Sequence, residues 1–469
     1  MTKRHNERST GRRRLSYPTR LTLATTLSAL LMGTSGPSLV MAADSPVANP
    51  DLLQQQIEAM QEQITALQAQ LEALKSRIHD GNADADADAD ARALPPEEQV
   101  SVAVEERDSP DVVTDTMADT GIALGGAVRF QYSREGYAAD NRRRNGDADF
   151  DIFRLDLKGR LGGISLDAQW RWFQYMSAMQ HAWLAYDVTP QAQMQVGLVR
   201  IPFGNQPYNS HSYFFSSNYY LGLEDTHAMG VEYVRDSGRW NVQLAFLKND
   251  GMGGVDGYVA DRTASYSYNV VGVRDPGEGI YDDPAHPAAV VDTLAARVAR
   301  TARLGNVEMD AGISLLRGSV NDAHARLGHH SALAVHAAFD WGRWNLQAQA
   351  SRYGYAVGDA DILAVGAYGF YDSIAARADS YTVNLAYHLP LEWGPITGMD
   401  LYNDHSRVEH KSGGLPATRM NVLGAGFSAG ALYTYLDYVI ARNQPFIGGS
   451  MAGAGTTEHR LNVNFGFYF

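Results

Sequence analysis

The chain of 469 residues contains no cysteine. That excludes a disulfide framework, a thiolate metal site and a cysteine nucleophile. Positive charge is also short: Lys and Arg number 39 against 53 Asp and Glu, a formal net charge of −14. Phosphate backbones would be repelled, so nucleic acid is excluded as a partner. No apolar run approaches the roughly 20 residues that a membrane-crossing helix requires. If the chain enters a bilayer, it does so as strands. Catalytic signatures are missing too, with no G-x-S-x-G elbow, P-loop or H-E-x-x-H in the chain. The expectation is a non-enzyme without cofactor. A hydrolase assembled from distant Ser, His and Asn side chains stays open as an alternative. His324, His329, His330 and His336 lie close in sequence, with the first three in or beside a predicted loop. They read as ordinary surface histidines, and no metal is expected.

What is present divides the chain into four parts. Residues 1–43 carry Lys3, Arg4, Arg8, Arg12, Arg13, Arg14 and Arg20, then the short apolar run LTLATTLSALLM (21–32), then small residues up to Ala42 and Ala43. That order describes a secretory signal peptide. Over 44–79 the apolar residues Leu53, Ile57, Met60, Ile64, Leu67, Leu71, Leu74 and Ile78 step by fours and threes between polar neighbours. This narrow seam predicts an α-helical coiled coil and leaves its order open between two and three strands. Residues 80–121 are low-complexity and acidic, a solvated linker. Asp84, Asp86, Asp88 and Asp90 alternate there, without the Gly turn or terminal Glu of a calcium loop. Most of the net negative charge sits in 44–121, so the remainder is only mildly acidic.

From 122 to 469 the pattern changes to a period of two. In FRLDLKGRL (153–161), Phe153, Leu155, Leu157 and Leu161 fall on one face, with Arg154, Asp156, Lys158 and Arg160 on the other. ISLDAQWRW (164–172), WNVQLAF (240–246), WNLQAQA (344–350) and YTVNLAYHL (381–389) repeat it. The final NVNFGFYF does the same, placing Leu461, Val463, Phe465, Phe467 and Phe469 on a single apolar face. Roughly sixteen such segments fit, within the even-numbered range of bacterial outer-membrane barrels. Trp170, Trp172, Trp240, Trp344, Tyr387 and Trp393 lie near segment ends, as interfacial girdles would. The prediction is an all-β chain, a transmembrane antiparallel barrel with its apolar face on lipid and its polar face on a wet lumen. Arg129, Arg154, Lys158, Arg160, Arg171, Arg200, Arg297 and Arg303 are the candidate pore-lining basic residues. They either attract anions or pair with Asp151, Asp156, Asp167 and Glu232 and merely solvate the wall.

VGLVRIPFG (196–204), followed by SYFFSSNYYLGLEDTHAMGVEY (212–233), resembles the phosphate-selective porin O/P family, most sharply at Pro202–Phe203–Gly204. The terminal strand ending in Phe469 resembles the recognition signal of bacterial outer-membrane proteins. The resemblance implies a sixteen-stranded, homotrimeric channel for small solutes or ions in the outer membrane. It also implies a periplasmic N-terminal segment, a terminal strand read by the barrel assembly machinery, and one loop folded into the lumen. Candidate constriction residues on that loop are Tyr208, His211, Tyr213, Tyr219, Tyr220, Glu224 and Asp225. Between Ile201 and Ala228 there is no Lys or Arg. This departs from the family's phosphate-selective members, so phosphate specificity is not carried over. Aromatics beside Asn205, Gln206, Asn209 and Asn218 suit neutral polyols equally well. A barrel plugged shut, with a structural or binding role, is a further alternative.

Overall fold

A computed structural model describes residues 121–469. The expected signal peptide, coiled coil and linker lie outside the described residues, apart from Gly121. Strand β1 (Gly121–Glu135) leads through a short helix, Ala139–Arg144, into β2 (Asp147–Leu161). Next come β3 (Ile164–Phe173), β4 (Ser177–Thr189), β5 (Ala192–Arg200), β6 (His227–Asp236) and β7 (Trp240–Asp250). After the short strands β8 (Asn269–Val273) and β9 (His286–Pro287), the wall resumes with β10 (Ala289–Leu304), β11 (Val307–Asn321), β12 (Arg326–Trp341) and β13 (Trp344–Val357). Two more short strands, β14 (Ile362–Ala367) and β15 (Phe370–Ala375), precede β16 (Arg377–Trp393). The chain finishes with β17 (Ile396–Glu409), β18 (Thr418–Ala429), β19 (Leu432–Arg442) and β20 (Thr457–Tyr468).

Sixteen of these strands form one closed antiparallel barrel among the described residues. β1 pairs with β20 to close it, Val128 opposite Phe467, and Gly126 and Phe469 exchange backbone hydrogen bonds of 2.8 and 3.0 Å. Closure leaves no sheet edge, which is what allows strands to sit in hydrocarbon. The outer face carries Leu124, Phe153, Leu184, Leu244, Leu315, Val383, Leu423 and Phe465, all exposed. The inner face carries buried Arg, Gln, Asn, Ser and Asp. Exposed Trp240, Trp344 and Trp393 all lie beside short turns, where a headgroup layer would meet them.

The two ends of the barrel differ. At one end, two-residue turns join β2 to β3, β10 to β11, β12 to β13, β16 to β17 and β18 to β19. In each, a glycine (Gly162, Gly305, Gly342, Gly394, Gly430) leads with positive φ, as tight hairpins of right-twisted strands require. The connections at the other end are longer, and several of them turn inward. Residues 201–226 cross the barrel. Residues 251–288 and 358–376 supply β8, β9, β14 and β15, a separate four-stranded sheet in the order β15-β14-β8-β9. Its Val270, Leu363, Val365 and Ile374 pack into one buried cluster with Tyr219, Tyr220, Tyr266, Tyr268, Tyr353 and Tyr355. This inner sheet has no counterpart in the sequence reading, which provides for one inward loop.

Candidate functional site in the barrel lumen

The loop between β5 and β6 starts beside one wall and is tied to the opposite one. Its first anchor is the Pro202–Phe203–Gly204 turn. Gly204 has φ of 70°, its N–H donates to Ser314 Oγ at 3.0 Å, and its carbonyl accepts from Arg297 Nε at 2.8 Å. A Cβ there would stand 2.3 Å from Gln349 Oε1, the atom that accepts from Asn205 N–H at 2.8 Å. Only glycine fits. Further along, Asn209 Nδ2 donates to Thr382 Oγ1 at 2.8 Å, and Asn384 Nδ2 donates to the Asn209 carbonyl at 2.7 Å. Asp404 on β17 then accepts from the backbone N–H groups of His211 (2.7 Å) and Ser212 (2.8 Å), with His211 Nδ1 2.8 Å from its other oxygen. Tyr213 bonds Asp151 on β2, and Ser217 sits 2.7 Å from Ser406. Buried amide, hydroxyl and carboxylate partners from β11, β13, β16 and β17 therefore satisfy a loop that would otherwise bury bare backbone.

Two carboxylates finish the loop. Glu224 accepts from Asn209 N–H at 2.8 Å and bonds the Ser216 hydroxyl. Burial pushes its carboxyl up to about 7, against those two hydrogen bonds and with help from neighbouring Asp225 and Asp404. Asp225 pairs with Arg200 at 3.2 Å and accepts from Tyr266 at 2.6 Å and Gln180 at 3.1 Å. Tyr219 bonds Tyr368 in the inner sheet's turn, and burial raises both hydroxyls beyond their ordinary range.

One cavity of about 880 Å3 runs beside the loop. Its lining extends from Glu135, Asp149 and Tyr175 near the long connections to Asp236, Asp310 and Asp340 near the short turns. Of the basic residues singled out in the sequence, Arg129 and Arg171 line it. Arg129 lies 3.1 Å from Asp151 and 4.8 Å over the Tyr213 ring. Arg171 bonds Gln169 (2.6 Å) and Gln180 (3.0 Å) and stands 4.6 Å over Tyr266. Arg154 is buried against Asp156 at 2.8 Å and the Tyr468 ring. Arg200 is engaged by Asp225, and Arg297 by Gly204, Asn241 and Asp310, so both hold structure in place. Lys158, Arg160 and Arg303 are exposed by the short-turn end, facing Asp167, Asp187 and Glu308. On the loop, Tyr208, His211, Tyr213, Tyr219, Glu224 and Asp225 line the cavity, whereas Tyr220 is buried against Tyr268 and Phe446.

Sequence reasoning passed over Arg460. It lines the cavity 3.5 Å from Glu135, with Phe214 and Phe215 within 6 Å of its guanidinium. Its place on the polar face of the last strand was the available signal. No such signal marks Tyr266, Tyr368 or Phe446, which arrive from separate loops.

No family model matches the chain, and no curated protein matches it either. Solved structures do. OmpT of Vibrio cholerae, an outer membrane protein in a trimer form, matches at 11% identity and a TM-score of 0.49, over 75% of this chain and 100% of that one. The outer membrane channel DcaP of Acinetobacter baumannii matches at 12% and 0.48, over 76% and 99%. An anion-selective porin from Comamonas acidovorans matches at 12% and 0.45, over 75% and 100%. At such identities the likeness is one of shape, and the chemistry of the lumen has to come from this chain's own residues.

Proposed function

We propose that the chain is an outer-membrane porin, a water-filled channel for passive diffusion of small hydrophilic solutes and ions. The observation that carries this is the cavity: a space that reaches from the long connections toward the short turns, lined by charged, amide and aromatic groups, inside a closed wall whose other face is apolar. A packed barrel would fill that space with apolar side chains. The inward loop and inner sheet narrow the channel without filling it, which favours conduction over a plugged structural role.

The lining also bears on selectivity. Carboxylates at Glu135, Asp149, Asp151, Asp236, Asp310 and Asp340 outnumber the arginines at positions 129, 171 and 460, with Arg129 beside Asp151 and Arg460 beside Glu135. Charged rings set ion preference in channels, and this balance favours cations or neutral solutes over phosphate. The same reading places outer-membrane lipid around the barrel, residues 44–121 on the periplasmic side, and two further copies beside it in a homotrimer. The strand ending in Phe469 would be offered to the assembly machinery. Reversal potential across a potassium chloride gradient tests the channel: a cation-leaning or unselective current is expected. The absence of any current would overturn the reading, and a phosphate-blocked anion current would reverse its selectivity.

A further inference from the structure

Away from the lumen, the outer wall carries an apolar groove of about 1220 Å3 across β6, β7, β10–β13 and β16. Cross-strand register explains its shape. One row runs Phe246, Leu294, Arg317, Ser331, Gly354, Arg377, each opposite the next. The row beside it runs Leu244, Ala296, Leu315, Leu333, Arg352, Asp379. Small residues at Ala296, Ser331 and Gly354 make a floor between walls of Leu and Phe. Arginines stand only toward the long-connection end. Arg352 is held by Asp379 at 2.6 and 3.0 Å, with His410 2.9 Å from the same carboxylate. Arg317 and Arg377 are exposed, and neither guanidinium meets an acceptor among the described residues.

We infer that this groove binds a phosphate-bearing membrane lipid, its acyl chains along the apolar floor and its phosphates on Arg317 and Arg377. Those two residues are separated by about 14 Å, three inter-strand spacings, within reach of one large headgroup through flexible side chains. Guanidinium suits phosphate by its fork of donors and its weak hydration. A second copy of the chain fits less well. Covering the two arginines would take free carboxylates, and three acidic side chains around the groove are already engaged: exposed Asp292 by Lys248, buried Asp379 by Arg352, and half-buried Glu409 by Arg407.

The test is native mass spectrometry of the detergent-purified full protein titrated with lipid A, and with lipid A stripped of its phosphates. The parent should prefer the phosphorylated lipid. The double variant Arg317→Ala/Arg377→Ala should bind it roughly 30-fold more weakly, from loss of two basic groups at an anionic headgroup. Ser331→Trp, which fills the floor, should displace both lipids, and both variants should keep the parent's conductance. Equal binding of the two lipids by the parent overturns the assignment, as does unchanged binding by the double variant. A variant that loses its oligomer at unchanged lipid affinity also overturns it, making a second copy the occupant. The inference rests on the membrane-barrel reading above. A protein that conducts yet fails these tests overturns the lipid site alone, whereas one that does not insert overturns both.

Discussion

Glu224 couples the packing of the inward loop to protonation. Its carboxyl sits at about 7 in the folded protein against an ordinary 4.5, so folding favours the protonated form. The stability this contributes is complete below about 4.5 and is lost as pH climbs through about 7, a swing on the order of 3 kcal/mol. Thermal melts should therefore fall between about pH 5 and pH 8 in the parent, and Glu224→Gln should flatten that slope. A slope that survives the substitution would assign it to another group. Asp404 makes a sharper case, because it accepts two backbone N–H groups and faces His211 Nδ1. Asp404→Ala should cost about 2–4 kcal/mol and appear as noisy, flickering single-channel current from an unpinned loop. Gly204→Ala should do the same by another route, driving a Cβ into Gln349.

At the scale of elements, the inner sheet is what the period-two pattern could not announce. Barrel strands alternate because their two faces meet different solvents. β8 and β14, NVVGV and ILAVGA, are buried on both faces and read as short apolar runs. Their pairing joins residues almost a hundred positions apart, Leu363 opposite Val273, and no local rule supplies that partner. The sheet is also fastened from a third connection, where Ser450 bonds Asp372, a carboxyl that burial pushes up to about 7. Replacing residues 252–287 by a tight Gly-containing turn should leave the wall intact, since Asn249 and Val291 are already cross-strand partners. Single-channel conductance should then rise. An unchanged conductance would place the narrowest point at the 201–226 loop alone.

For the whole molecule, charge at the cavity wall and association of copies are separable. Arg129→Glu and Arg460→Glu, on adjacent strands beside the loop, should shift the reversal potential further toward cations, while unchanged selectivity would move control elsewhere. Deleting residues 52–78 should weaken the proposed trimer while each barrel still conducts, as gel mobility of unheated samples and bilayer recording would report. A trimer of undiminished stability would remove the seam from the assembly.

The barrel wall was legible because its cause is local. Side chains of neighbouring residues point to opposite faces, so a chain set between oil and water must alternate, and glycine must stand where hairpins turn. The presence of an inward segment was legible in part, in Pro202–Phe203–Gly204 and the long run without Lys or Arg. Which arginines meet the cavity was not. Arg129 and Arg297 sit on like faces of like strands, yet one lines the cavity and the other is engaged by Gly204. That difference arises from where a loop crosses, and hydrogen bonds between residues more than a hundred positions apart set the crossing. Such contacts exist only once the barrel has closed around them.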